Sequence, residues 1–247
     1  MATKPKAEAR SADPRGKIVD ALMELAREQR FEDISIRDIC EKAGVSLADF
    51  RDAFPSKGAA LAGFIRRVDR AVLERDVEEL ADEGPRERLF DILMRRLDAM
   101  APYREGLREV SAWLRREPAA AWAINPAVMA SMRFMLEAAG IEVEDGAVGA
   151  IKLQGLALAW ARIVAVWLDD EEPGLSKTMV ELDRQLTRGE RAVKGVDRLN
   201  RIAAPLRALA GAALEARRSR RERSRRSRER KDAPARREEG DLGAPMV

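Results

Sequence analysis

Few residues in this 247-residue chain have the types needed for chemistry, and those few narrow the choice. Histidine is absent, which removes the commonest general base and every His-ligated metal site. Cys40 is the single cysteine, so no internal disulfide or cysteine-rich zinc site is expected, a usage that fits a reducing cytoplasm. The acidic run Asp169-Asp170-Glu171-Glu172 reads as solvated helix-end or loop chemistry. No nucleophile–base pair, phosphate loop or metal-ligand set accompanies it, so the expectation is a protein that is not an enzyme and uses no cofactor. Charge is the stronger signature. Residues 217–247 carry 12 basic and 6 acidic side chains, most of them within RRSRRERSRRSRERK. That excess is larger than the net +3 of the whole chain, so the remainder is net negative. Attraction to polyanions is therefore local to the tail, which otherwise reads as a solvated low-complexity extension.

The elements that must position any site are helical. Hydrophobic residues make up 46% and charged residues 36%, but aromatic ones only 4%, and Ala, Leu, Glu and Arg dominate. These are good helix formers, and β-branched runs are scarce. Residues 1–14 have no apolar core, so no signal peptide is expected. The longest apolar run, LQGLALAWARIVAVWL, falls short of a span of about 20 residues and is broken by Gln154 and Arg162. It reads as a buried helix.

From Arg15 the spacing of Ile18, Ala21, Leu22, Leu25 and Ala26 predicts a helix with one apolar face. Ser35 is a good N-cap, with Asp38 three residues on imitating a capping box. The second helix turns Ile36, Ile39, Cys40 and Ala43 inward and ends at Gly44, which takes a left-handed conformation at low cost. Ser46 caps a short third helix running to Phe54. Pro55-Ser56 breaks it, and a fourth helix starts near Lys57. Helix, glycine turn and capped helix make a helix-turn-helix unit. Beyond Gly84-Pro85, the stripe Leu89, Phe90, Leu93, Leu97 and Met100 predicts a helix. Another follows from Pro102 with Leu107, Val110, Trp113 and Leu114. The stretch from Ala119 to Gly140 is helical with a kink near Pro126. Residues 145–168 are apolar almost all round and need cover on every side, for which a second subunit is economical. A further helix runs from Leu175 towards Lys194. In 195–216, Val196, Leu199, Ile202, Leu206, Leu209 and Leu214 lie on one side with arginines around them, an amphipathic helix.

Residues 15–61 resemble the N-terminal domain of TetR-type transcriptional regulators. The likeness rests on Ile18, Ala21 and Leu25, then Ser35, Ile36, Ile39 and Ala43, then Gly44-Val45-Ser46, Phe50, Phe54-Pro55-Ser56-Lys57 and Leu61. It implies an all-α, TetR-like fold: a three-helix DNA-binding head and a helical bundle for ligand and dimer contact. Five segments follow from this: a flexible arm over 1–14, the head over 15–61, the ligand and dimerisation body over 62–194, the amphipathic helix over 195–216 and the basic tail over 217–247. By resemblance, Ser35, Arg37, Ser46, Leu47, Asp49, Arg51 and Lys57 occupy the DNA-facing positions. Arg37 and Lys57 would hold phosphates, and Arg51 a phosphate or a guanine edge. Family members usually carry a polar or basic residue at Leu47, Ser or Thr at Asp49, an aromatic at Arg51, and a polar or basic residue at Asp52. The presumed recognition helix is therefore unusually acidic. The resemblance further implies a ligand-responsive repressor that binds a pseudo-palindrome in double-stranded DNA as a homodimer. A small apolar or lipid-like effector would sit among Phe90, Leu93, Leu97, Trp113, Trp122, Met129, Met132, Met135 and Trp160.

A second resemblance covers the other half. Trp167-Leu168-Asp169-Asp170, Thr178 and Leu182-Asp183-Arg184-Gln185-Leu186 are similar to the lipid-binding accessory proteins of ubiquinone biosynthesis, which share the fold but have a degenerate head. The alternative function is thus a lipid carrier touching an anionic membrane surface through 196–231. The expected location is the cytoplasm, with the inner face of the membrane as the place of the alternative.

Overall fold

The structure is a computed structural model that describes residues 13–74, 82–193 and 195. The expected amphipathic helix and basic tail, and all but the end of the N-terminal arm, lie outside the described residues. Among those described there are helices and no strand. Helix α1 spans Pro14–Glu28, with Pro14 in the first turn where its missing N–H costs nothing. A short 3-10 turn, Phe31–Asp33, leads to α2, Ile36–Ala43, and α3, Leu47–Ala53. Helix α4, Lys57–Leu73, is capped by Ser56, whose Oγ accepts the Ala59 N–H at 3.1 Å. Then come α5, Pro85–Met100, a 3-10 turn at Ala101–Tyr103, and α6, Arg104–Arg116. Helices α7, Pro118–Ala138, and α8, Ala147–Asp169, follow, and α9 covers 176–193. Pro126 sits inside α7 without ending it.

The helices pack as the apolar stripes require. Helix α1 lies against α2, α3, α4 and α6, while α4 runs on to pack against α5 and α7, and α7 against α8. Ile18, Leu22, Phe31, Ile39, Leu93, Leu97, Met132, Met135 and Ile163 are wholly or almost wholly out of solvent. The approach of α6 to α1 is close. A Cβ placed on Gly106 would lie 2.7 Å from the Met23 carbonyl oxygen.

Two corners differ from the sequence reading. Ile36 was expected to point inward but is half exposed, because it occupies the first residue of α2, ahead of the face that meets α1. Asp170 is buried, not solvated. Its Oδ2 accepts the Thr178 N–H at 2.9 Å and the Thr178 hydroxyl at 2.7 Å, and its Oδ1 accepts the Glu172 N–H at 3.3 Å. The carboxylate thus satisfies donors in the first turn of α9 that the helix itself leaves open. From α6, Arg104 and Arg108 donate to the terminal carbonyls of α8: Arg104 to those of Trp167 and Asp170, and Arg108 to that of Leu168 at 2.7 Å. The α8–α9 corner is therefore bound from both sides. Helix α8 is apolar and long enough to cross a membrane by length and composition. Here Leu153, Ala157, Trp160, Ile163 and Trp167 are buried in the core.

Two predictions come from this packing. Gly106→Ala should lower stability by about 1–3 kcal/mol, the usual cost of overpacking, read as a reduced denaturant midpoint; an unchanged midpoint would contradict the close α1–α6 approach. Burial acts to raise the Asp170 pKa, but the Thr178 and Glu172 donors outweigh it and hold the carboxyl below its ordinary value. Its contribution to stability is then full above the ordinary carboxylate range and is lost as pH falls through the lower folded value. The stability gap between wild type and Asp170→Asn should therefore shrink on acidification, and a gap constant with pH would refute the assignment.

Candidate nucleic-acid interface and effector body

The α2–α3 corner is built on two copies of one local device. Ser35 accepts the Asp38 N–H at 3.1 Å while Asp38 accepts the Ser35 N–H at 2.8 Å. Ser46 and Asp49 repeat the exchange, with the Asp49 N–H donating to Ser46 Oγ at 3.1 Å and the Ser46 N–H to Asp49 Oδ2 at 3.1 Å. The Ser46 hydroxyl also donates to Asp49 at 2.7 Å. Between the two boxes Gly44 turns the chain at φ +63°. The Val45 N–H closes the corner on the Cys40 carbonyl at 3.0 Å. Phe50 and Phe54 anchor α3 in the core, and the Arg15 guanidinium lies 5.3 Å from the Phe54 ring centroid.

Asp49 is thus a capping residue of α3, turned back on the backbone of its own helix. Its negative charge also lies at a helix N-terminus, where the macrodipole favours it. What α3 holds out is Leu47, 55% exposed, with Ala48, Arg51 and Asp52, while Arg37 is exposed at the start of α2. Ser35 and Ser46 are exposed too, with their hydroxyls engaged as caps. Cys40 beneath them is buried; burial first, and the nearby Asp49 second, push its thiol pKa up, so it is a packing residue.

Lys57, which the resemblance assigns to a phosphate, is engaged within the protein. Its Nζ donates to the Phe31 carbonyl at 2.6 Å, to that of Ile34 at 2.7 Å and more weakly to that of Glu32 at 3.4 Å. It also lies 4.7 Å from the Phe31 ring centroid. Burial pulls its pKa below the usual lysine value, against the pull of Glu32, Asp33 and Asp38. The ammonium has its donors directed at protein carbonyls, so it clamps the 3-10 turn to the start of α4.

The proposed effector residues divide. Leu93, Leu97, Met132, Met135 and Trp160 share one buried core, with Phe90 and Met129 half-buried at its edge. Two others stand apart. Trp113 stacks on Phe31 of the head at 4.4 Å between ring centroids, because α6 packs against α1 and the 3-10 turn. Trp122 is 81% exposed, on the side of α7 turned away from α4 and α5. A groove of about 410 Å³ lies elsewhere, between α8 and α9, lined by Arg162, Val166, Lys177, Val180, Glu181 and Arg184 among others. Sequence reasoning passed over Arg96 and Asp69, an ion pair buried within this same body. A signal was present: each falls on the apolar face of its helix, Arg96 beside Leu93 and Met100, Asp69 beside Val68 and Val72.

The residues behind the second resemblance also have packing duties. Asp170 holds Thr178, Trp167 lies under Arg104, and Leu182 and Leu186 are buried.

No family model and no curated protein matches the chain. Solved structures do. A TetR transcriptional regulator from Nitrosomonas europaea ATCC 19718 is 24% identical, with a TM-score of 0.56 over 72% of this chain and 98% of its own. A TetR transcriptional regulator from Rhodococcus sp. RHA1 is 18% identical, with a TM-score of 0.49 over 71% of this chain and 95% of its own. A tetR-family regulator from Streptomyces coelicolor is 19% identical, with a TM-score of 0.40 over 77% and 97%. The first of these likenesses defines the fold. The chain has the all-α architecture of TetR-type transcriptional regulators.

Lys57→Met should destabilise the chain by about 1–3 kcal/mol, because it leaves buried carbonyls without a donor. Denaturant unfolding of this variant, with no loss of stability, would return Lys57 to the list of free cations.

Proposed function

We propose that this chain is a homodimeric transcriptional regulator, a ligand-responsive repressor that reads a pseudo-palindromic operator. One observation carries the reading: the doubly capped corner presents Arg37, Leu47 and Arg51 to solvent on a head anchored to the body. Arg37 and Arg51 give phosphate or guanine contacts, and Leu47 suits a thymine methyl. With Asp49 committed to its cap, the exposed charges of the corner are Arg37, Lys42 and Arg51 against Glu41 and Asp52. Further neutralisation of phosphates comes from the basic residues of 217–247. The name of the Nitrosomonas structure, a transcriptional regulator, supports the same class.

The dimer reading rests on α8, whose Ile151 and Leu158 stand 61% and 65% exposed on an otherwise buried helix. Val180 of α9 is exposed as well. A second copy covering these residues would hold two heads at one spacing, as successive half-sites on DNA require. An effector in the body shifts that spacing only if it binds one arrangement better than the other. The site of action is the cytoplasm, and the effector is a small apolar or lipid-like molecule.

Footprinting of the DNA flanking the gene, with full-length protein, is the test. Protected half-sites are expected, and Arg51→Ala or Arg37→Ala should each weaken binding by about 1–3 kcal/mol, roughly 5- to 150-fold. No protection at low salt, or protection indifferent to both substitutions, would refute the reading.

A further inference from the structure

Where α4, α5, α7 and α8 cross, the body holds an ion pair whose two partners are both buried. Asp69 of α4, Arg96 of α5 and Ser131 of α7 are 7%, 3% and 1% exposed. Two donors converge on a single carboxylate oxygen. Arg96 Nη1 donates to Asp69 Oδ1, and the Ser131 hydroxyl donates to the same atom at 2.7 Å. From α8, the Trp160 ring lies 5.1 Å from the guanidinium carbon and covers the cation. Burial pulls the Arg96 pKa down, and Asp69 opposes it.

As a purely structural pair this is an expensive arrangement. Well-packed apolar residues of similar volume commonly serve as well or better. It is also incomplete. The buried Arg96 Nε–H has no hydrogen-bond partner among the described residues. Asp69 engages one edge of a guanidinium built to hold a carboxylate with two parallel donors. A carboxylate tethered to α4 is bound to where that helix places it; a free one is not. One helical turn away on the same helices the neighbours are apolar: Leu93 precedes Arg96 and Met135 follows Ser131, both fully buried. Met132 and Met135 are unbranched side chains that rearrange readily to admit an apolar body.

We propose that Arg96 and Ser131 form a seat for the carboxylate of an amphipathic effector, an apolar monocarboxylic acid, and that Asp69 of α4 occupies this seat in the effector-free protein. The proposal rests on the regulator reading and gives its effector a chemical class. Two carboxylates around one buried cation leave net negative charge in the interior, which is strongly disfavoured. Effector and Asp69 are therefore competitors. Helix α4 begins in the head, where Lys57 clamps the 3-10 turn, and ends at the seat. An acid that takes Arg96 releases the far end of the helix whose near end is fixed to the DNA-reading corner. That supplies the difference in affinity between two arrangements that coupling requires.

Calorimetric titration of the full chain with decanoate and 2-naphthoate, and with their neutral primary amides, tests this directly. The acids should bind and the amides should bind at least about tenfold more weakly, the loss of one charge-assisted contact. Asp69→Asn, which removes the resident competitor's charge, should bind the acids about tenfold more tightly. The double variant Arg96→Met with Asp69→Leu removes both charges and should remain folded by helical circular dichroism while losing the preference for acid over amide. Equal binding of acid and amide, no binding of either acid, unchanged acid affinity in Asp69→Asn, or a preference retained in the double variant would each overturn the proposal. Footprinting is read separately. A protein that binds acids at Arg96 but protects no DNA would refute the regulator reading and leave the seat standing.

Discussion

Everything the head offers to a partner depends on how Phe31 is held. Its ring is fully buried, faced by Trp113 of α6 and by the Lys57 ammonium of α4. Its backbone is used at both ends. The N–H donates to Glu109 of α6 at 3.2 Å, and the carbonyl accepts from Lys57 at 2.6 Å. Arg116 adds a bridge from α6 to Glu32 at 3.1 Å. One residue in a three-residue turn thus ties α6 of the body to the start of α4, just ahead of the α2–α3 corner in the chain. The exposed ion pair contributes little on its own, but the buried aromatic stack and the satisfied backbone groups are worth more.

From that joint two lines of rigidity run through the body. One follows α4 from Lys57 to Asp69, and so to Arg96 and Trp160. The other follows α6 to Arg104 and Arg108, which seal the C-terminal carbonyls of α8. Both lines end on α8, the helix whose outer side carries exposed Ile151 and Leu158. The ring that covers the buried cation and that outer surface therefore belong to the same helix.

The acidic look of the third helix has a local cause. Ser35-Ile36-Arg37-Asp38 and Ser46-Leu47-Ala48-Asp49 are the same four-residue pattern, serine at the cap and aspartate three residues on. The second copy explains Asp49 as the first explains Asp38. The repeat is visible in the sequence, where serine with aspartate three residues on marks a capping exchange at each helix start. The contacts of Lys57 are hidden in the sequence for a related reason. A lysine after Pro-Ser at a helix start looks free, and only the return of residues 31–34 over it brings three carbonyls within reach.

Local chemistry determined what could be read without coordinates. Helix caps, the glycine turn and apolar spacing act over three or four residues, so the helices of the head and the corner at Gly44 were legible from order alone. The class of fold followed from composition and period. Tertiary structure decided which helical faces meet, because that depends on residues far apart in the chain. It moved Trp113 from the effector body to the joint with the head and left Trp122 in water. It put Asp170 under α9 and brought Asp69 and Arg96 together across 27 positions. A lone charge on an apolar stripe is costly wherever it is buried, and its sequence cannot say which opposite charge will offset it. Only the crossing of α4, α5, α7 and α8 supplies that partner.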